Sequence, residues 1–392
     1  MSPSPAAFST QRRWVLLGDG QSPHLLKWAQ ALEASGRVEL WVASSRGFLD
    51  DFDAVVPGER RLALGHDPRQ AGGNVSVLRH LPRLARWLAA AKPDVLHAHY
   101  LTSHGTLAWL ARALWRLDAS LVSSAWGSDI LVAPRNRMVR WVTRRVLKAS
   151  ILATSDSHVM AAAMRSLGAG EVMTFPFGLP ALPPLSSSVE RQPWLVYASR
   201  GLEPIYRPDR VLDLFEALAL RQPEARLVVA NDGSLRASLQ ARCEANGSTL
   251  KGRVRFVGRL GATAQAEWYR RAALFFSLPS SDSVSVSVIE AMAYGALPVL
   301  SDLPANRELV RHGETGLLAP ETPLDDNWWM QLQALHDRPQ HALEANRRWV
   351  AEQALFPQSV SRFLDRAEAV LPPAQGRRAE SRTGAAAFEA DA

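Results

Sequence analysis

The sequence predicts an α/β protein made of two doubly wound, parallel-sheet domains, and three observations predict it. Short apolar runs alternate along the chain with amphipathic helical stretches, each run closing on a Gly, Ser or Pro turn. A Pro- and Ser-rich segment, "PALPPLSSSVERQP" at 180–193, interrupts this alternation, and the same habit resumes behind it. The stretch "LFFSLPSSDSVSVSVIEAMAYGALPVL" at 274–300 then reads as strand, polar turn, helix and strand. Such a unit places a helix N-terminus, with unpaired N–H groups and a positive dipole end, at the carboxyl edge of a parallel sheet, where it suits a phosphate.

Taken in order, "RRWVLLGDGQSPHLLKWAQALEASGRVELWVAS" predicts a strand at Trp14–Leu17, a glycine loop, a helix at His24–Ala34 and a strand at Val38–Ala43. Gly18 and Gly20 permit a sharp turn and a close backbone approach to a ligand. The third glycine of a dinucleotide fingerprint is absent, and no acid ends the second strand. "PDVLHAHYLTSHGTLAWLARAL" predicts a strand at Val95–Ala98, a loop with His97, His99 and His104, and an apolar helix. The histidine spacing fits a zinc site poorly and no cysteine lies near, so these read as loop histidines at a strand end, some of them structural. In "ASLVSSAWGSDIL", Asp129 either orients a substrate or caps the segment that follows.

"PRNRMVRWVTRRVLKAS" predicts an amphipathic helix with Arg137, Arg140, Arg144, Arg145 and Lys148 along one stripe and Met138, Val142 and Val146 toward another face. A stripe of this kind is either a solvated face or, with Trp141 beside it, a contact for an anionic membrane surface. "RHLPRLARWLAAAK" at 79–92 adds Arg79, Arg83, Arg86 and Lys92 around Trp87. Beyond the linker, Leu195–Ala198 is a strand ending at Ser199 and Arg200, with a helix from about Pro208. Two further strand–turn–helix units follow, "ARLVVANDGSLRASLQARCEA" and "VRFVGRLGATAQAEWYRRA". In the 274–300 unit the strand is Leu274–Leu278, the helix ends near Tyr294, and Gly295 is placed to take the left-handed C-terminal conformation. Asp282 stands before that helix and Glu290 in its second turn; the structural alternative is a capping box of Ser287 with Glu290, and Asp282 as a solvated turn residue.

Composition bounds the rest. The 392 residues have room for two domains, and 47% of them are apolar, enough for a large core. The single cysteine, Cys243, excludes an internal disulfide and fits a reducing compartment. No apolar run approaches the ~20 residues of a membrane span, and "MSPSPAAFSTQRR" lacks the apolar centre of a secretory signal. The net charge of +7 favours an anionic partner or surface, yet neither a nucleic-acid module nor basic–aromatic interleaving is present. The expected location is cytoplasmic, with peripheral attachment to the inner face of the plasma membrane as the refinement that the basic helix suggests.

The segment "DSVSVSVIEAMAYGALPV", continued by "SDLPANRELVRHGETGLLAP", resembles the signature of the retaining glycosyltransferases of family 4, the glycosyl transferases group 1, which have the GT-B fold. Some forty residues match in order. The resemblance implies two Rossmann-like domains facing a central cleft: residues 1–180 on the acceptor side and 194–355 on the nucleotide-sugar side, joined by a linker at 181–193. The terminal helix, 356–371, would cross back to the first domain, and residues 372–392 are expected to be a disordered tail.

The resemblance also implies roles. The first acid, Asp282, would contact the transferred sugar, and Glu290 the ribose hydroxyls. The turn Ser283, Val284, Ser285 and Val286 would receive the diphosphate. Arg200 matches the first member of a basic pair that reaches that diphosphate; the following Lys is missing, and Arg207 is its candidate substitute. Gly258 and Arg259, in "FVGR", would border the nucleobase, and Gly20 would face the diphosphate. His99 and His104, in a pattern similar to "H.HY…HG", would line the acceptor side. Gly127 and Asp129 match "HG.D", with Trp126 in place of its histidine. Asp282, Arg200 and Asp129 are thus the catalytic candidates. No metal and no cofactor is expected beyond the nucleotide-sugar as co-substrate, and the acceptor would be a glycan or a lipid-linked molecule.

Three functions are compatible with this pattern. The first is retaining transfer, in bacterial surface polysaccharide or glycolipid assembly. The second, motivated by Asp for Glu at 282, Ser-Val-Ser for Gly-Phe-Gly, the missing Lys and Trp126, is a catalytically silent protein that binds a nucleotide-sugar or a partner. The third, a nicotinamide oxidoreductase, rests on the doubly wound pattern alone and lacks the glycine fingerprint.

Overall fold

A computed structural model describes residues 11–66, 75–133, 136–184, 190–321 and 323–373. The chain forms two compact units. One comprises residues up to Ser155, Ala163–Met173 and everything from Val360; the other comprises Asp156–Ala162 and Thr174–Ser359. The tail expected beyond residue 373, the middle of the linker at 185–189 and part of the acceptor-side loop at 67–74 lie outside the described residues.

The first unit holds a sheet of seven strands: β1 (Arg12–Gly18), β2 (Val38–Ser44), β3 (Arg61–Ala63), β4 (Val95–His99), β5 (Ser120–Ser124), β6 (Ser150–Ser155) and β7 (Val172–Thr174). Their order is β3-β2-β1-β4-β5-β6-β7, parallel from β3 through β6. All five residues of β4 are buried, as a strand with both faces covered requires, so two imidazoles enter the core with it. His97 lies against Trp28, Trp14 and Phe363 at ring-centroid distances of 4.9, 5.9 and 5.3 Å. Phe363 belongs to the terminal helix Phe356–Val370 and is fully buried there, so the last stretch of chain completes the core of the first unit.

The second unit holds six parallel strands: β8 (Gln192–Ala198), β9 (Arg226–Ala230), β10 (Val254–Gly258), β11 (Ala272–Ser277), β12 (Leu297–Ser301) and β13 (Leu317–Ala319). The order is β10-β9-β8-β11-β12-β13. Side chains alternate between two cores on the two faces, with Trp194, Val196 and Phe276 on one and Leu195, Tyr197 and Phe275 on the other. Burying an aromatic ring of this size contributes about 2–3 kcal/mol. The strand order reverses between β8 and β11, and in open α/β sheets ligands bind beyond the carboxyl ends of the strands at such a reversal.

Residues 174–180, placed with the first half from sequence, group with the second unit. Leu179 donates to the Ala354 carbonyl at 2.8 Å and accepts from Phe356 N–H at 2.8 Å. A Cβ on Gly178 would stand 1.7 Å from the Ala354 oxygen, so only glycine fits in "FPFGLP".

Candidate functional site

In the second unit, β11 closes at Ser277, and Pro279 with the serines after it turns the chain before the helix Val286–Tyr294. Gly295 ends that helix at φ 85°, the left-handed conformation its position predicts. At the other end, N-cap Ser285 makes no side-chain cap bond, and Glu290 receives the Tyr269 hydroxyl at 2.9 Å. The acids are therefore not accounted for by a capping box of Ser287 and Glu290, and the dipole end of the helix is left without a side-chain cap.

Arg200 follows β8, the strand adjacent to β11, and this adjacency brings it to the same turn. One guanidinium nitrogen, Nη2, donates to Asp282 Oδ2 at 2.7 Å; the other donates to Ser285 Oγ. Tyr206 lies under the guanidinium, 4.4 Å from ring centroid to Cζ, and fixes its plane. The cation opposes a larger effect of burial, which raises the Asp282 carboxyl above its ordinary range. Ser283 is buried, its hydroxyl donated to Asp156 and 2.7 Å from Ser157 Oγ. Of the two serine hydroxyls in the turn, Ser283 and Ser285 thus both serve internal contacts, and the backbone of the turn is what they hold in place.

Arg207 points elsewhere. Its guanidinium pairs with Glu321 at 2.6 Å, beside Arg210 on the same carboxylate, and its backbone is left-handed at φ 47°. The structure does not bring it to Arg200 and Asp282. Gly258 ends β10 at φ 71° and accepts Asn231 N–H at 2.6 Å, which ties the ends of β9 and β10 together, while Arg259 is exposed. Tyr269, Tyr206 and Asn231 have no signature in the sequence; their part in this network comes from strand order and helix register.

The candidates in the first unit are mostly internal. Asp129 is fully buried, and its two oxygens accept Leu101 N–H and Trp126 N–H, each at 2.9 Å. Burial raises its carboxyl to about 6 against those bonds. It clasps two loops, and of its two possible roles this geometry supports the structural one. Gly20 is closely packed: a Cβ there would stand 2.5 Å from the Gly47 oxygen, and its N–H goes to Ser44 Oγ at 2.8 Å. The need for glycine is met inside the first unit.

His104 Nδ1 lies 2.8 Å from the His99 carbonyl and Nε2 lies 2.9 Å from Ser45 Oγ. The proton must sit on Nδ1, and Nε2 accepts from the serine. Burial lowers His104 to about 4 and His97 to about 3. Burial also lowers His99 well below its ordinary value, and neither of its ring nitrogens has a hydrogen-bond partner among the described residues. It lies 5.4 Å from Trp28 and 5.8 Å from Trp126, which also meets His24 at 4.9 Å.

Two Rossmann-like parallel-sheet units are the architecture of the GT-B fold. The family description "Glycosyl transferases group 1" matches residues 186–351, and "Glycosyl transferase 4-like domain" matches residues 19–178. The chain belongs to this family of GT-B glycosyltransferases. It is 25% identical over 313 residues to the phosphatidyl-myo-inositol mannosyltransferase of Mycobacterium leprae, covering 77% of this chain and 79% of the relative. It is 26% identical over 332 residues to the enzyme of that name from Mycobacterium tuberculosis, covering 81% and 82%. The Anabaena HepE structure in complex with UDP and glucose superposes with a TM-score of 0.71 at 16% identity, over 92% of this chain and 100% of that one.

Proposed function

We propose that the protein transfers a sugar, with retention of anomeric configuration and without a metal, from a nucleoside diphosphate sugar to a glycan or lipid-linked acceptor. The observation that carries this reading is the meeting of Arg200 and Asp282 at the uncapped start of the helix Val286–Tyr294. Cleavage of the sugar–phosphate bond leaves charge on the diphosphate, and a preorganised guanidinium beside a helix N-terminus is the arrangement that stabilises it. In the reaction, the acceptor oxygen bonds to the anomeric carbon on the face the diphosphate leaves. The hydroxyl proton passes to a diphosphate oxygen, so no protein nucleophile is required. Asp282 orients the sugar and Glu290 holds the ribose. The curated relatives act on phosphatidyl-myo-inositol by name, which supports an acceptor carried on a lipid.

The surface of the first unit supports the same setting. On the helix Arg137–Ala149 the buried residues are Thr143, Val146 and Leu147, and all five cations are exposed. Met138, expected on the apolar face, is 74% exposed, and Trp141 is 52% exposed with Arg145 stacked 5.2 Å above it. None of these cations is paired with an acid among the described residues. Trp87 of the other basic segment packs on Trp41 at 5.6 Å, whereas Trp141 stays exposed, which favours the Arg137–Ala149 face for a membrane contact. No helix among the described residues is long and apolar enough to cross a membrane. About 1 kcal/mol per cation near an anionic leaflet gives reversible attachment on the cytoplasmic side. Co-sedimentation with anionic but not neutral vesicles, abolished by salt and by changing Arg137, Arg140, Arg144 and Arg145 to Gln, is the expected result; binding insensitive to all three contradicts the attachment.

The test of the transferase reading is incubation with UDP-, GDP-, ADP- and dTDP-sugars, following nucleotide release and the anomeric proton of the product. Retention with nucleotide release is expected. Nucleotide binding without release across a broad acceptor panel would favour the silent binding protein, which Arg207 turned to Glu321 and Trp126 in place of histidine suggest.

A further inference from the structure

Beneath Glu290 lies a buried polar chain that links it to the strand end carrying Arg200. Tyr269, on the helix Ala262–Arg271, is 1% exposed and donates its hydroxyl proton to Glu290 Oε2 at 2.9 Å. Ser199 Oγ lies 3.0 Å from the same phenol oxygen. Because the phenol has one proton and gives it to the carboxylate, Ser199 is the donor in that contact. Gln265 Nε2 adds bonds of 3.2 Å to the phenol and 3.4 Å to Glu290 Oε2. The Tyr269 ring is itself fixed, edge-on to Tyr197 at 5.0 Å and stacked on Tyr294 at 5.8 Å with an interplanar angle of 2°. Burial, then the charge of Glu290, raises the phenol well above its ordinary value, so it remains a donor across the working range of pH.

We propose that Tyr269 is a positioning residue for the nucleotide donor: it fixes the Glu290 carboxylate, through Oε2, in the orientation that receives the ribose hydroxyls, and through Ser199 it couples that orientation to the strand end bearing Arg200. A carboxylate on a flexible stem loses rotamer freedom when it binds. A buried donor with a locked ring removes that loss beforehand, as a supporting hydrogen bond does for a ligand group. The proposal rests on the assignment of Glu290 to the ribose.

The test uses the full chain and calorimetric titration with the tightest-binding of UDP, GDP and ADP, beside its 2′,3′-dideoxy analogue. Wild type should bind the dideoxy nucleotide at least tenfold more weakly, and Glu290→Gln should erase that difference. Tyr269→Phe, which keeps the ring contacts, should weaken the natural nucleotide about fivefold and reduce the discrimination to about twofold. It should raise the donor KM with kcat held within about twofold, and Tyr269→Phe with Glu290→Gln should bind no more weakly than Glu290→Gln alone. Ser199→Ala should show a smaller loss of the same kind and serves if Tyr269→Phe does not fold. Full discrimination in both Tyr269→Phe and Ser199→Ala overturns the proposal while leaving Glu290 on the ribose. Full discrimination in Glu290→Gln overturns the ribose assignment and the proposal with it.

Discussion

Arg200 Nη2 donates to Asp282 Oδ2 at 2.7 Å, and each side chain keeps about 20% of its surface exposed. The two loops joined by this pair follow adjacent strands of the sheet, β8 and β11. The pair therefore sets the distance between the group proposed to hold the leaving diphosphate and the group proposed to hold the sugar. Arg200→Ala should lower kcat by about 10²–10³, as loss of one preorganised charge donor does. Arg200→Lys should recover only part, because one planar fork spans Asp282 and Ser285 and an ammonium cannot. Steady-state kinetics measure this; wild-type turnover in Arg200→Ala removes Arg200 from the reaction.

Asp282→Ala should reduce turnover more than donor affinity, since the partner proposed for it is the reacting part of the donor. Glu290→Ala should do the reverse, because the ribose contacts proposed for it would be made equally in the ground and transition states. Donor KM and kcat for the two variants, measured side by side, separate these effects. Equal losses of both parameters in both variants contradict the division of roles.

Arg207→Ala should behave as wild type in turnover. Its ion pair with Glu321 is exposed, and such pairs contribute at most about 1 kcal/mol of stability. A loss of kcat approaching that of Arg200→Ala would mean that Arg207 leaves Glu321 for the donor during the reaction.

The first unit should lose stability on acidification. His97 and His104 are held to about 3 and about 4, and His99 also far below the ordinary 6.5, chiefly by burial. For groups with lowered values the unfolded chain binds protons first, so their contribution is present above pH 6.5 and is lost as pH falls toward the folded values. By pH 5 His97 and His104 have each given up about 2 kcal/mol. Asp129, raised to about 6, acts oppositely, its contribution returning as pH falls through 6, and it offsets part of one histidine. Hydrogen exchange of the β4 and β5 amides at pH 7 and pH 5 reads this unit directly. Reduced protection at pH 5, with a shallower dependence in His104→Gln, is expected; equal protection at both pH values contradicts it.

The fold was legible because it is written in short-range patterns. Apolar runs such as Leu195–Ala198 and Leu274–Leu278 mark strands with both faces buried, and Gly295 marks the helix end that its φ of 85° shows. The candidates in 282–290 were legible as types and spacing on one strand–turn–helix unit. What could not be read were pairings between units distant in sequence. Asp282 meets Arg200 across 82 positions, and Glu290 meets Tyr269 across 21, both decided by strand order and helix packing. The same limit holds for the surroundings of Asp129 and Gly20: the atoms they meet, Leu101 N–H and the Gly47 carbonyl, come from other loops. Arg207 lay close in sequence to the expected cation, but Glu321, more than a hundred residues on, claims it.

The central claim is that the second unit binds a nucleoside diphosphate through Arg200 at the helix start and Glu290 along the helix. Calorimetric titration of UDP, GDP and ADP into wild type, Arg200→Ala and Glu290→Ala tests it most directly. Saturable binding of at least one nucleotide by wild type, weakened tenfold or more in each variant while Arg207→Ala binds normally, is the predicted result. Wild-type affinity in both Arg200→Ala and Glu290→Ala, or no nucleotide binding by the wild-type chain, would contradict it.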